Sequence, residues 1–188
     1  MPPLNYLKKF RHLKWQKGKR RIGLLGGSFN PAHDGHRTAS ILAMRQFFLH
    51  EIWWLVVEQN PHKKTISTPI GERALLAKKT ARHPKIKIKT LDGKKNIYSY
   101  DAIKQIIKQH PKKKFLFIMG SDCWFQFHHW HRYRDMAKLL PLVMINRAPH
   151  HHLYRRAPAD RVIKNKRRFT HPLNHLSSSG RGWLKNMK

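Results

Sequence analysis

Residues 22–36 read Ile-Gly-Leu-Leu-Gly-Gly-Ser-Phe-Asn-Pro-Ala-His-Asp-Gly-His. An apolar stretch typical of a buried strand runs into Gly26 and Gly27, and His33 and His36 follow three positions apart. Small residues let backbone N–H groups approach a phosphate, and a helix N-terminus adds a field that favours anions. On the first turn of a helix, two histidines with this spacing can both donate to phosphate oxygens. The stretch therefore predicts a phosphate-binding turn.

This turn differs from the two commonest phosphate-binding motifs. No lysine follows the glycines, as Gly-x-x-x-x-Gly-Lys-Ser/Thr would require, and the spacing is not that of Gly-x-Gly-x-x-Gly. A His-x-x-His pair taken alone is equally compatible with a metal pair or with a chance arrangement on the surface. The adjacent glycines favour phosphate, with histidine in place of lysine as the donor.

Apolar patterns along the rest of the chain predict alternating strands and helices. We expect strands at 21–25, 52–57, 86–89, 115–119 and 142–145, and helices at 35–49, 72–82 and 100–110. Residues 148–172 show no clear period and are expected to form a loop of uncertain helix content. The alternation predicts an α/β fold, a Rossmann-like, mostly parallel sheet with helices on both faces and ligands at the carboxyl ends of its strands.

The composition constrains the setting of the protein. The chain has 188 residues, which we divide into a basic N-terminal tail at 1–20 and a single domain at 21–188. One cysteine, Cys123, excludes an intrachain disulfide, and no apolar run of 18 residues is present to cross a membrane. The N-terminus lacks the apolar core of a secretory signal. We therefore expect a cytoplasmic protein without a membrane partner.

The chain is strongly basic, with 40 Lys and Arg against 9 Asp and Glu, a formal net charge of +31. Such a charge attracts polyanions non-specifically through counterion release. The basic residues are spread along the whole sequence, and no motif that reads DNA or RNA accompanies them. This pattern favours solvated basic faces over a dedicated nucleic-acid-binding module.

A second candidate site follows the apolar run at 115–119. Asp122 comes directly after this predicted strand, where a carboxylate can accept hydrogen bonds from ribose hydroxyls or hold a water of a magnesium ion. The aromatic residues Phe125 and Phe127 are expected to pack in the core. The histidine groups at 128–131 and 150–152 lack companion cysteine or carboxylate ligands, so we interpret them as surface composition and predict no metal site in the protein.

The segment Leu176-Ser-Ser-Ser-Gly-Arg-Gly182 is a further phosphate-binding candidate near the C-terminus. Its serines are typical of an N-cap before a short helix. Two glycines, Gly180 and Gly182, weaken the expected helix.

Several of these segments together resemble one family. The stretch Gly-Gly-Ser-Phe-Asn-Pro-Ala-His-Asp-Gly-His resembles the signature of the nucleotidylyltransferase superfamily, specifically of the bacterial nicotinate-nucleotide adenylyltransferases, with Asn30 where family members usually have Asp. Gly-Ser-Asp-Cys and the later Phe-His-His-Trp, between 120 and 130, resemble the family's Gly-Ala-Asp-Asn-Leu and Phe-His-x-Trp segments. Such a family member transfers the adenylyl group of ATP to nicotinate mononucleotide and releases pyrophosphate. The two substrates are thus its expected small-molecule partners, with Mg²⁺ accompanying ATP.

The resemblance also implies roles for individual residues. His33 and His36 would be catalytic, and the expected ATP-binding residues are Gly26, Gly27, Ser28, Phe29, His33, His36, Ser177, Ser178, Ser179 and Arg181. The expected mononucleotide-binding residues are Lys63, Ser99, Asp122 and Trp130. The family's arginine aligns with Gly182, so Arg181 stands one position early, which on a helix corresponds to about 100° of rotation.

Two other functions fit parts of the same pattern. Phosphopantetheine adenylyltransferase shares the His-x-Gly-His logic of residues 33–36 but not the Phe-His-x-Trp segment. A basic nucleic-acid-binding protein built on an inactive version of the fold is compatible with the charge and with the shifted Arg181.

Overall fold

The fold was analysed in a computed structural model, which describes residues 18–57, 68–91, 98–147, 157–159 and 172–173. Over these residues the strands are β1 (Arg20–Gly27), β2 (Glu51–Val56), β3 (Ile86–Thr90), β4 (Lys113–Gly120), β5 (Leu142–Arg147) and β6 (Pro172–Leu173). The helices are α1 (Asp34–Gln46), α2 (Ile70–Ala81), α3 (Ser99–Gln109), α4 (Ser121–Gln126) and α5 (Tyr133–Leu139). A turn of 3-10 helix, Phe127–His129, follows α4.

The strands form one parallel sheet in the order β3-β2-β1-β4-β5-β6. The strand order reverses beside β1, because β1 lies between β2 and β4. In open α/β sheets, ligands bind at such a switch point, beyond the carboxyl ends of the strands. The predicted phosphate-binding turn follows β1 and the segment with Asp122 follows β4, so both lie at this point.

The core has two layers, one on each face of the sheet. Alternate residues of each strand point to opposite faces, so a continuous apolar strand supplies both layers. One layer packs strand residues such as Trp53 and Phe117 against α3, through Ile103, and against α5. The other packs residues such as Trp54 and Ile118 beneath α1 and α2. A Cβ at Gly23 would lie 2.5 Å from the Ile52 side chain, so a larger residue there would make the side chains of this second layer shift.

The sequence predictions of the α/β class, the five principal strands and the first three helices are confirmed. Three details are wrong. The first helix ends at Gln46 and not at 49, because Phe48 has a left-handed φ of 52° that cannot continue a helix. Phe125 is 43% exposed and lies outside the core, whereas Phe127 is fully buried as expected. Pro172–Leu173 forms β6 within the region predicted as loop.

No helix in the part of the chain that the structure describes is both long and apolar enough to cross a bilayer.

Candidate functional site

The end of β1, which leads into the turn, is closely packed at Gly26 and Gly27. A Cβ at Gly26 would lie 3.0 Å from the Phe117 ring, and one at Gly27 would lie 3.3 Å from the ring of Phe29. Phe29 itself is buried, with a left-handed φ of 48°, which a non-glycine residue adopts only when its surroundings hold it there. The chain therefore leaves β1 along a tightly defined path, and Ser28 follows the glycines on the same turn.

The two histidines lie together at the start of α1 and close its first turn. His33 is the N-cap residue, and its Nδ1 accepts a hydrogen bond from the Gly35 backbone N–H at 3.1 Å. His36 Nδ1 accepts one from the His33 backbone N–H at 3.3 Å. The two ring centroids are 3.9 Å apart. The histidines thus form a capping box, an arrangement usually built by Ser or Thr with Glu or Gln.

These hydrogen bonds determine which ring nitrogens carry hydrogen. A ring nitrogen that accepts from a backbone N–H cannot itself be protonated, so the hydrogen of each neutral imidazole lies on Nε2. The sequence prediction of two adjacent donors at a helix start is consistent with this geometry. Both histidines are half-buried. They lie at the N-terminus of α1, where the positive end of the helix dipole favours an anion.

Two buried aromatic residues, Phe29 and Trp54, pack against His36. Phe29 stacks on Trp54 at 5.0 Å between centroids and lies 4.9 Å from the His36 ring. Trp54 is buried, and its Nε1 donates to Ser40 Oγ at 2.8 Å, which in turn donates to the His36 carbonyl. The stack fixes His36 through contacts to β2 and to the second turn of α1.

Arg73, on α2, is a residue of this site that the sequence analysis did not identify. Its guanidinium is 1% exposed. Nη1 donates to the Ser28 carbonyl at 2.6 Å and to the Val57 carbonyl at 2.8 Å, and Nε donates to the Thr68 carbonyl at 3.0 Å. One side chain therefore ties the glycine turn to the end of β2 and to the start of α2. A single sequence carries no signal for this role, since the Ser28 partner is 45 positions away.

The loop after β4 brings Trp130 beside the sheet. Gly120 is the N-cap of α4, and Asp122 lies in the first turn of that helix. Trp130 is half-buried and packs edge-on against two phenylalanines, with centroid distances of 5.4 Å to Phe127 and 6.1 Å to Phe117. The Phe117 ring also lies 3.0 Å from the place that a Cβ at Gly26 would take. The end of β1 and the loop after β4 are therefore both next to this ring.

Ser99, the first residue of α3, lies near the Trp130 loop. The adjacent Tyr98 stacks on His131 at 4.4 Å, and the Arg132 guanidinium lies 4.4 Å from the centre of the Tyr100 ring. These two contacts join the N-terminus of α3 to the residues directly after Trp130. The structure thus brings the predicted Ser99 and Trp130 segments together.

Lys63, Ser177, Ser178, Ser179 and Arg181 lie outside the described residues, so their roles stay predictions. Within the described residues, no group of three or more His, Cys, Asp or Glu side chains is arranged to hold a metal ion.

Comparison with known proteins identifies the family. The cytidylyltransferase-like family model matches residues 24–180. A probable nicotinate-nucleotide adenylyltransferase of Bradyrhizobium sp. (strain ORS 278) is 37% identical over 149 residues, 78% of each chain. The chain belongs to the nicotinate-nucleotide adenylyltransferase family. A family member of Methylorubrum extorquens (strain PA1) is 38% identical over 129 residues, covering 68% of this chain and 70% of that one.

A solved structure of a nicotinic acid mononucleotide adenylyltransferase, from Plasmodium falciparum and complexed with NaAD, has the same fold. Its TM-score is 0.67 with 22% identity, and the match covers 84% of this chain and 77% of that one. The family, the Rossmann-like fold and the nucleotidyltransferase assignment predicted from the sequence are therefore confirmed.

Proposed function

We propose that this chain transfers the adenylyl group of ATP to nicotinate mononucleotide, giving deamido-NAD and pyrophosphate. The observation that carries the proposal is the histidine capping box on the first turn of α1, directly beyond the glycine turn of β1. Its geometry supplies two Nε2–H donors and a helix N-terminus at one place, which suits a phosphate whose charge increases during the reaction.

The reaction is an in-line displacement at phosphorus. An oxygen of the mononucleotide phosphate attacks the α-phosphorus of ATP, and the bond from that phosphorus to the bridging oxygen breaks, so that pyrophosphate leaves with the electron pair. The nucleophile is already an anion, so no general base is needed, and positioning with charge stabilisation supplies the catalysis. His33 and His36 donate to the α-phosphate oxygens. Mg²⁺ would accompany ATP as part of the substrate and would offset part of the negative charge of its phosphates.

The other predicted residues bind the two substrates. Lys63 and Arg181, with Ser177, Ser178 and Ser179, contact phosphate oxygens. Asp122 accepts from the nucleotide, and Trp130 stacks on the nicotinate ring. Backbone N–H groups beside Ser99 receive the nicotinate carboxylate at the N-terminus of α3, where the helix field favours an anion. The contacts of Tyr98 with His131 and of Tyr100 with Arg132 support this arrangement, because they hold the two halves of the pyridine subsite together.

Pyrophosphate release tests the proposal directly. The purified chain is incubated with Mg²⁺, ATP and one of three acceptors: nicotinate mononucleotide, its amide analogue or phosphopantetheine. We expect release with nicotinate mononucleotide and formation of deamido-NAD in equal amount. Release with phosphopantetheine alone would assign the chain to the other adenylyltransferase, and no release with any acceptor would indicate an inactive version of the fold.

A further inference from the structure

Basic side chains surround Trp53, and two of them, Arg20 and Lys113, begin their strands at the end away from the histidines. The Lys113 and Lys89 ammonium groups lie 4.5 and 5.1 Å from the centre of the Trp53 ring, and the indole is 3% exposed. Arg20 pairs with Glu51 at 2.6 Å, and Glu51 accepts a hydrogen bond from the Trp53 indole at 2.9 Å. We name this group the Trp53 cluster; its basic members are Arg20, Lys87, Lys89 and Lys113.

The sheet places charges of the same sign side by side in this cluster. Arg20 is the first residue of β1 and Lys113 the first of β4, and the two are direct neighbours in the parallel register. Like charges on adjacent strands destabilise a sheet. Lys87 lies beside Trp53 in the register of β2 and β3. Glu51 pairs with Arg20, and the charges of Lys113 and Lys87 also act on its carboxylate.

Two lysines of the cluster also act on a neighbouring histidine. His110 packs edge-on against Trp53 at 5.0 Å. Partial burial lowers the pKa of His110, and the charges of Lys113 and Lys89 lower it further. Both lysine charges thus oppose the imidazolium form of His110.

Structural roles account for part of the cluster. β3 is an edge strand, where exposed lysines such as Lys87 and Lys89 discourage pairing with another chain. The methylene stem of Lys113 also covers apolar surface of the indole. Neither role explains why two cations, Arg20 and Lys113, stand next to each other on interior strands beside the single carboxylate of Glu51.

Two members of the cluster, Arg20 and Lys113, are also far from the proposed active site. Arg20 begins β1 and Gly27 ends it, and eight residues of strand span roughly 23 Å. Arg20 and Lys113 therefore do not hold ATP on the histidine turn, and their natural counterpart is an anion outside that site.

We propose that the Trp53 cluster binds the sugar–phosphate backbone of a nucleic acid. Cations on β1, β3 and β4 match a row of phosphates, and the net charge of +31 favours a polyanion over a single small anion. An anionic membrane fits less well, because surface-bound proteins also insert apolar side chains. Among the described residues, none of the exposed large apolar side chains lies on β1, β2, β3 or β4.

Fluorescence anisotropy with a labelled single-stranded RNA of about 16 nucleotides tests this proposal. Saturating Mg²⁺ and ATP keep the histidine turn occupied during the titration. The variant Lys87→Gln/Lys113→Gln removes two charges from the cluster. Its matched control, Lys78→Gln/Lys79→Gln, removes two exposed charges from α2, which packs on the other face of the sheet.

We expect the cluster variant to bind RNA more weakly than the control, with unchanged pyrophosphate release in both. The slope of log Kd against log salt should fall by about 1.4, at about 0.7 for each lost phosphate contact. If both variants weaken RNA binding equally, the loss reflects only the lower net charge of the protein, and the proposal is overturned. Binding to phosphatidylserine vesicles without binding to RNA would overturn it too. If Lys113→Gln loosens the packing of Trp53, the single change Lys87→Glu repeats the comparison, because Lys87 lies on the exposed edge strand.

Discussion

His36 combines two functions in one ring, and they can be separated. Its Nδ1 closes the capping box of α1, whereas its Nε2–H is the proposed donor to the α-phosphate. In His36→Asn the side-chain oxygen can replace Nδ1 as acceptor, but nothing replaces Nε2. We expect kcat to fall about 100- to 1,000-fold, as for loss of one preorganised donor, with little change in the melting temperature.

His36→Ala is the matched comparison because it removes both functions. It should show the same loss of kcat and, in addition, a loss of about 1 kcal/mol in the free energy of unfolding, typical of a lost helix cap. Steady-state kinetics and chemical denaturation measure the two effects. Undiminished turnover in His36→Asn would remove His36 from the mechanism.

Arg73 acts on the phosphate turn without needing to touch substrate. Its planar guanidinium donates hydrogen bonds to the carbonyls of Ser28, Val57 and Thr68. The ammonium group of a lysine cannot reproduce this fixed arrangement of donors. In Arg73→Lys we expect the glycine turn to lose its anchor to β2. The KM for ATP should then rise, while the KM for nicotinate mononucleotide stays the same.

The measurement is made well below the melting temperature of the variant, since loss of buried hydrogen bonds also costs stability, about 1 to 3 kcal/mol for each carbonyl left unsatisfied. A lower melting temperature with both KM values unchanged would limit Arg73 to a structural role. Lys79→Arg, an exposed exchange on the same helix, should change neither quantity.

At the scale of elements, the sequence predicted the long, strongly patterned pieces best. β2 and β4 are continuous apolar runs, and α3 repeats its isoleucines at helical spacing, so each was recognised within one or two residues. α4 and α5 have six and seven residues, too few for a helical period to emerge from composition. Yet these short helices orient Trp130, so its surroundings could not be derived from a pattern.

The contact between Tyr98 and His131 shows how two elements could define the pyridine subsite. Their stacked rings join the start of α3 to the loop that carries Trp130. In Tyr98→Leu this link is lost and the spacing between Ser99 and Trp130 is no longer fixed. We expect a several-fold higher KM for nicotinate mononucleotide with an unchanged KM for ATP.

Tyr98→Phe is the control for that variant, because it keeps the ring and loses only the hydroxyl group. It should behave as the unsubstituted enzyme in initial-rate measurements with each substrate varied in turn. A similar rise of KM in both variants would assign the effect to the hydroxyl and not to stacking.

At the scale of the whole molecule, the parallel topology gathers residues that are dispersed along the sequence. Arg20, Lys87 and Lys113 are far apart in the chain. From the sequence alone, the even spread of basic residues favoured solvated basic faces over a nucleic-acid-binding module. The register of β1, β2, β3 and β4 sets them around one indole. Only strand order and register, which no composition encodes, reveal that cluster.

Glu51 connects the stability of this region with its affinity for anions. Burial alone would raise the pKa of Glu51, but the Trp53 hydrogen bond and the charges of Arg20, Lys113 and Lys87 together hold it below its ordinary value of 4.5. A lowered pKa in the folded state means that the ionised carboxylate stabilises the fold. This contribution is complete above pH 4.5 and is lost as the pH falls through the lowered folded value.

Glu51→Gln should therefore have opposite effects on stability and on binding. At pH 7 we expect the free energy of unfolding to fall by roughly 1 to 2 kcal/mol, and the difference from the unsubstituted protein to vanish in strong acid. RNA affinity should rise, because the four cations of the Trp53 cluster lose their compensating charge. Glu72→Gln on α2 changes the net charge equally but lies on the other face of the sheet, so its affinity should rise less. Denaturation curves across pH measure the effect on stability, and anisotropy titrations measure the effect on RNA affinity. Weaker RNA binding by Glu51→Gln would place the nucleic acid elsewhere on the surface.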